Sequence, residues 1–146
     1  MPVVQVDILI KAPPDVIFPV LLDMETYPSF MKDLVSVKVL ERNPGGTLTD
    51  WVSNVDGRVI RWQEEDRFFP EEWRIEYKQT KGDLKNFEGE WTIAKEPEGS
   101  RVSLRVDFEF GIPMVAGLLN PLLKKKVREN SENMLSALKQ RLEAGN

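Results

Sequence analysis

Apolar residues recur at every second position from Asp33 to Phe110, and from about residue 113 to residue 143 the period lengthens to roughly 3.6. This pattern predicts a run of strands followed by one long helix. An earlier alternation, with Val4, Val6, Ile8 and Ile10 on one side, predicts a half-buried opening strand. Ala12-Pro13-Pro14-Asp15 stops that strand, and a proline with an acid beside it starts a helix well. Pro19 removes a donor, and Tyr27-Pro28 disfavours helix before the proline. Two short helices are therefore expected, over about 14–22 and 25–31.

Six further strands are expected at about 33–42, 47–56, 58–69, 72–80, 85–95 and 99–110. Asn43-Pro44-Gly45-Gly46, Lys81-Gly82-Asp83 and Glu96-Pro97-Glu98-Gly99 punctuate them. Asp56-Gly57 between two alternating runs signals a two-residue hairpin. The predicted fold class is α+β: a seven-stranded curved antiparallel sheet wrapped around a long C-terminal helix, with two short helices between strands 1 and 2. No repeat or linker divides the chain, so residues 1–146 are expected to form a single domain.

In the last element Leu119, Leu123, Val127, Met134, Leu138 and Leu142 fall on one stripe, suited to packing over a sheet. Asn120-Pro121 marks either the start of the main helix or a kink in it. From Pro121 to Glu143 a helix would span roughly 35 Å, enough to cross the sheet. A bent sheet gripping a helix usually encloses a space, and an enclosed apolar space is most often a ligand site.

Composition narrows the chemistry. The 146 residues include no Cys and no His, which removes disulfides, thiolate nucleophiles, the commonest metal ligands and the commonest general base. No metal or other cofactor is expected. The net charge of −4 gives no general attraction to DNA or anionic lipid. No apolar run approaches the roughly 18 residues of a membrane span, and the N-terminus lacks the pattern of a secretory signal. A cytoplasmic location is the resulting expectation.

The Asp56-Gly57 turn sets a register. As a two-residue loop it makes Val55 face Arg58, Ser53 face Ile60 and Trp51 face Trp62. The two indoles then form either an aromatic wall for a flat ligand or a ladder that stiffens the hairpin. Trp73, Ile75 and Tyr77 alternate on the next strand, and Phe87, Gly89, Trp91 and Ile93 on the one after. Val102, Leu104, Val106, Phe108 and Phe110 form the most apolar face. Gly89 leaves room for a bend or for a ligand, the bend being favoured. Arg58, Glu64 and Asp66 share the parity of Ile60 and Trp62. Buried charges are costly unless paired, so strand ends or bulges are expected to turn these three to solvent. An inward Arg58 would imply a carboxylate partner or an anionic or enolic ligand. Asn130 and Ser131 sit near the apolar stripe, able to hydrogen-bond a ligand carbonyl or simply to edge the stripe. Lys124-Lys125-Lys126 and Arg128 read as a solvated helix flank, with anionic lipid or RNA as the alternative.

The order strand, two short helices, six strands, long helix resembles the START-like (helix-grip) superfamily. Ile10-Lys11-Ala12-Pro13-Pro14-Asp15-Val16 and Leu22-Asp23-Met24-Glu25-Thr26-Tyr27-Pro28-Ser29-Phe30-Met31 are similar to the opening of its polyketide cyclase and coenzyme Q-binding protein family. So are Gly89-Glu90-Trp91-Thr92-Ile93 and Val106-Asp107-Phe108-Glu109-Phe110. The resemblance implies a cavity between sheet and C-terminal helix that binds a small hydrophobic, aromatic or polyketide-like molecule, with aromatase/cyclase chemistry if the protein is an enzyme. Expected cavity residues are Trp51, Arg58, Trp62, Trp73, Tyr77, Phe87, Trp91, Phe108, Asn130 and Met134, with an entrance at Tyr27, Phe30 and Met31. No catalytic role is assigned to any of them. A non-catalytic quinone or lipid carrier, and a ribosome- or protein-interaction module, stand as the alternatives.

Overall fold

The computed structural model describes residues 3–55, 57–109 and 116–144, with side chains from 124 onward in the last stretch. Strand β1 (Val3–Ile10) leads to helix α1 (Pro14–Leu22) and a 3₁₀ helix, Met24–Ser29. Strands β2 (Leu34–Asn43), β3 (Gly46–Val55) and β4 (Arg58–Phe69) follow. A 3₁₀ turn at Pro70–Glu72 precedes β5 (Arg74–Gly82), β6 (Asn86–Glu96), β7 (Gly99–Glu109) and helix α2 (Ala116–Ala144).

The strands form one seven-stranded sheet in the order β1-β7-β6-β5-β4-β3-β2, with every neighbouring pair antiparallel. Strands β2 to β7 are thus a meander, and β1 closes onto its last member. Register shifts between Leu34 and Ser36, Val39 and Glu41, and Gln63 and Glu64 insert bulges. Each bulge adds local bend and twist.

Alternation along β7 buries Ser100, Val102, Leu104, Val106 and Phe108. Val4, Val6 and Ile10 of β1 and Ile75, Trp91 and Ile93 of the central strands join them in the core. Helix α1, begun by Pro14, adds Ile17, Phe18 and Leu21. Helix α2 adds Leu135 and Leu138.

Three expectations change. The segment expected as a second helix winds as a 3₁₀ helix ending at Ser29, because Pro28 prevents an α-helical continuation. Strand β5 begins at Arg74 rather than 72, since Pro70–Glu72 curls and Trp73 caps the curl in the left-handed region, φ 50°. Asn120 and Pro121 lie inside α2, so the helix does not start there. Phe110 and Pro113, and the side chains of Leu119 and Leu123, lie outside the described residues.

Helix α2 lies along β1 and is tied to it. Lys139 Nζ donates to Leu9 O at 2.9 Å and to Glu143 Oε2 at 2.7 Å. Lys11 N donates to Glu143 Oε2 at 3.0 Å, and Arg128 Nη1 to Gln5 O at 3.4 Å. The hydrogen bonds from Lys139 and Lys11 hold the Glu143 carboxyl below its ordinary value. Toward the other edge of the sheet, Asn130 Nδ2 donates to Asp33 Oδ2 at 3.2 Å. Among the described residues no helix is long and apolar enough to cross a membrane.

Candidate functional site

The hairpin β3–β4 has the register that its Asp-Gly turn dictates: Val55 pairs with Arg58, Ser53 with Ile60 and Trp51 with Trp62. Further from the turn, Thr49 pairs with Glu64 and Thr47 with Asp66. These pairs share one face, and beyond Arg58 at the turn that face is inward. Glu64 is 4% exposed and Asp66 1%. The cost of burying unpaired charge predicts both carboxyls in solvent through a strand end or bulge. A bulge is present beside Glu64, but it interrupts pairing with β5; the β3–β4 register runs through unbroken. Both side chains therefore keep the inward parity of Trp62.

The ladder satisfies its own polar groups. The two indoles stack with centroids 5.6 Å apart and planes 10° from parallel. Trp51 Nε1 donates to Thr49 Oγ1 at 2.7 Å. Thr49 Oγ1 and Thr47 Oγ1 donate to Asp66 Oδ2 at 2.7 and 2.9 Å. Trp62 Nε1 donates to Glu64 Oε1 at 2.8 Å. Glu64 and Asp66 neighbour each other as a buried carboxyl pair, and no other side chain or backbone group donates to Asp66 Oδ1.

Burial pushes the Glu64 carboxyl well above its ordinary value, and the neighbouring Asp66 charge pushes it further. Burial also raises Asp66, but the hydrogen bonds from Glu64, Thr49 and Thr47 oppose that rise. Two carboxyls in one site cannot both ionise cheaply, so one proton is shared and Glu64 carries it. The site then holds one protonated acid and one hydrogen-bonded carboxylate.

Between this face and α2 lies a cavity of about 630 Å³. Trp51, Trp62 and Glu64 form one wall, Tyr77, Phe87 and Trp91 continue it, and Leu104 and Val106 follow from β7. Val127, Asn130, Ser131 and Met134 of α2 face them. Tyr77 is held by its hydroxyl, which donates to Arg105 O at 2.8 Å, and burial pushes its phenol well above the ordinary value. Gly89 makes that contact possible. A Cβ there would lie 1.8 Å from Arg105 O and 2.6 Å from the Tyr77 hydroxyl oxygen. The space beside Gly89 is thus occupied by the protein itself.

The cavity reaches the surface beside the β3–β4 hairpin, where its lining includes exposed Arg58, Val59 and Asp83 with half-buried Lys126. Reciprocal hydrogen bonds pin this rim: Asp83 N donates to Arg61 O and Arg61 N to Asp83 Oδ2, each at 2.9 Å. The inward Arg58 that would demand a carboxylate partner is not found. Arg58 follows the turn directly, where the sheet has run out of core to cover it.

Tyr27 and Met31 do not form an entrance. Tyr27 is fully buried behind the wall, its hydroxyl donating to Leu21 O at 2.5 Å and its ring set edge-on to Trp51 and Trp91 at 5.8 and 6.3 Å. Met31 is 2% exposed. The half-buried Phe30 ring is covered by the Arg141 guanidinium of α2 at 5.1 Å, and neither residue is among the lining residues. Trp73 and Phe108 are not among the lining residues: Trp73, turned aside by its left-handed backbone, packs edge-on to Phe18 at 5.5 Å, and Phe108 is buried in the sheet core. Arg58, Trp51, Trp62, Tyr77, Phe87, Trp91, Asn130 and Met134 all line the cavity. In the basic run, Lys124 and Lys125 are exposed while Lys126 reaches the rim.

Residues 10–135 match the family model described as polyketide cyclase/dehydrase and lipid transport. The chain belongs to this family. TTHA0849 from Thermus thermophilus is similar over 99% of both chains, with 33% identity and a TM-score of 0.94. The Zhui aromatase/cyclase from Streptomyces sp. R1128 shares the fold at a TM-score of 0.88 and 21% identity, over 97% of this chain and 93% of that one. A START superfamily protein from Mycobacterium smegmatis does so at 0.85 and 21%, over 99% of each. No curated protein sequence matches the chain.

Within this polyketide cyclase-family fold, the part that sequence reasoning missed is the buried carboxyl pair. Its signal was available. Counting back from Asp56-Gly57 places Thr47 and Thr49 opposite Asp66 and Glu64, so two hydroxyl donors face two acids on the face already assigned to the indoles.

Proposed function

We propose that this chain, as a single domain, binds a small, flat hydrophobic molecule of aromatic or polyketide-like kind in the cavity between sheet and α2. The observation that carries this reading is the unfilled space itself: about 630 Å³, walled by stacked indoles and further aromatic rings with few polar groups. Sites for small molecules commonly occupy about 300–1,000 Å³ with this kind of lining. An interaction module that docks on a ribosome or protein calls for a filled core instead. If the bound molecule is a poly-ketone, the walls act as a template. Holding a flexible chain in one fold brings its reacting carbons together, and proximity alone supplies much of a cyclisation rate. The aromatase/cyclase fold of Zhui fits such a use.

Titration with 1,8-dihydroxyanthraquinone tests the reading. Trp51, Trp62 and Trp91 line the cavity and Trp73 does not, so saturable quenching of most of the tryptophan emission is expected. Quenching that does not saturate, or that Trp73→Phe abolishes, would overturn it. Native mass spectrometry separates the neighbouring reading: a co-purified isoprenoid or quinone would make the protein a carrier.

A further inference from the structure

Away from the rim, the titratable side chains on the described cavity wall are Glu64 and Tyr77. The Tyr77 hydroxyl is committed to Arg105 O. Glu64 stands beside Asp66, whose buried Oδ1 no other group satisfies, so a proton on Glu64 serves Asp66 before it serves a ligand. Turning that proton toward a ligand would strand a buried acceptor, which costs more than an ordinary hydrogen bond returns. Glu64 Oε1 already accepts the Trp62 N–H. What the carboxyl still offers the cavity is unused lone pairs, so it can accept but not donate.

We infer that Glu64 receives a hydroxyl group of the bound molecule, and that the ligands selected are neutral phenols, enols or alcohols whose rings lie against the Trp51–Trp62 stack. The inference deepens the ligand-cavity reading and rests on it. A carbonyl or ether oxygen brings no donor to this point. An anionic oxygen meets both the lone pairs of Glu64 and the negative charge of Asp66 behind it. Any acidic end of the molecule would have to lie at the rim, where Arg58 and Lys126 stand beside Asp83.

Equilibrium dialysis of the full chain at pH 6 against naphthalene, 2-naphthol and 2-methoxynaphthalene tests this. The naphthol is expected to bind about five- to tenfold more tightly than its methyl ether, the worth of one hydrogen bond in a desolvated site. Glu64→Met removes both carboxyl oxygens, leaving only a thioether that accepts weakly, and should bring the two within about twofold while naphthalene binding persists. Glu64→Gln supplies a second route should the Met variant not fold. Its amide keeps both the Trp62 and Asp66 contacts and turns an N–H toward the cavity. The hydroxyl preference should then fall, and 2-acetonaphthone, which only accepts, should gain. Equal binding of naphthol and ether to the natural protein, or an unchanged ratio in the variants, would overturn the hydroxyl assignment alone. Failure of all three probes to bind, naphthalene included, would overturn the cavity reading itself.

Discussion

Replacing Glu64 by glutamine should make the protein less sensitive to pH, and the size of the effect follows from one proton. Folded Glu64 keeps its proton well above the ordinary value of 4.5, because burial and the Asp66 charge both oppose ionisation. The unfolded chain releases that proton near 4.5. Between these two values the folded state binds one more proton, so raising the pH draws the equilibrium toward unfolding. The stabilisation linked to Glu64 is complete below about 4.5 and is lost as pH climbs toward the folded value. The slope is about 1.4 kcal/mol per pH unit for one proton, or roughly 5 °C in Tm for a chain of this size. In Glu64→Gln the amide donates to Asp66 as the acid does, and its carbonyl accepts from Trp62, so the packing is retained without a titrating group. Asp66, Tyr27 and Tyr77, which titrate against Glu64, remain in the variant, and both tyrosines stay neutral through this range. Urea unfolding of both proteins from pH 4.5 to 8 at fixed ionic strength measures the difference. The variant should gain on the natural protein by about 1.4 kcal/mol for each pH unit in the window. Parallel profiles would show that Glu64 is ionised in the fold, and the shared-proton account would fail.

Gly89→Ala should cost about 3 kcal/mol or more, or prevent folding, because its methyl would meet the Arg105 carbonyl; a normal thermal melt would refute this. Trp62→Ala removes half of the indole stack and the Glu64 donor, and should cost about 3 kcal/mol in urea unfolding while weakening anthraquinone binding by more than tenfold. Unchanged binding would return Trp62 to a purely structural role. Lys139→Ala should cost about 1 kcal/mol and speed amide exchange at the end of β1, since it frees Leu9 O; unaltered exchange there would refute the clamp.

The topology was legible because turns and periods are local. Asp56-Gly57 alone gave the pairing of Trp51 with Trp62, and the switch of period gave α2. The cavity was legible only as what a grip topology and the family resemblance imply, since whether rings fill a space depends on distances that no pattern carries. The carboxyl pair was misread for a different reason. The rule that buried charge is costly is sound, but it applies to charges without partners. Here Thr47 and Thr49 supply donors, and a shared proton leaves one net charge where the sequence shows two. Trp73 was misplaced because Pro70 acts three residues upstream, rotating the indole off the face that its parity implied. The entrance expected at Tyr27, Phe30 and Met31 fails on tertiary burial: Tyr27 and Met31 are covered, and Arg141, more than a hundred residues away in sequence, lies over Phe30.

The pairing of β1 with β7 sets Val3 against Asp107, and the last helix then fastens down the first strand through Lys139 and Leu9. The chain is closed by its two extremes. A meander grown from β2 to β7 can form by successive hairpins, but the opening strand must wait for a partner made about a hundred residues later. Such long-range closure is slow relative to hairpin formation. During synthesis β1 stays unpaired until β7 is made, and the inner rings stay uncovered until the C-terminal helix arrives. That interval is when this protein is most exposed to aggregation, and a shortened C-terminus would make it permanent.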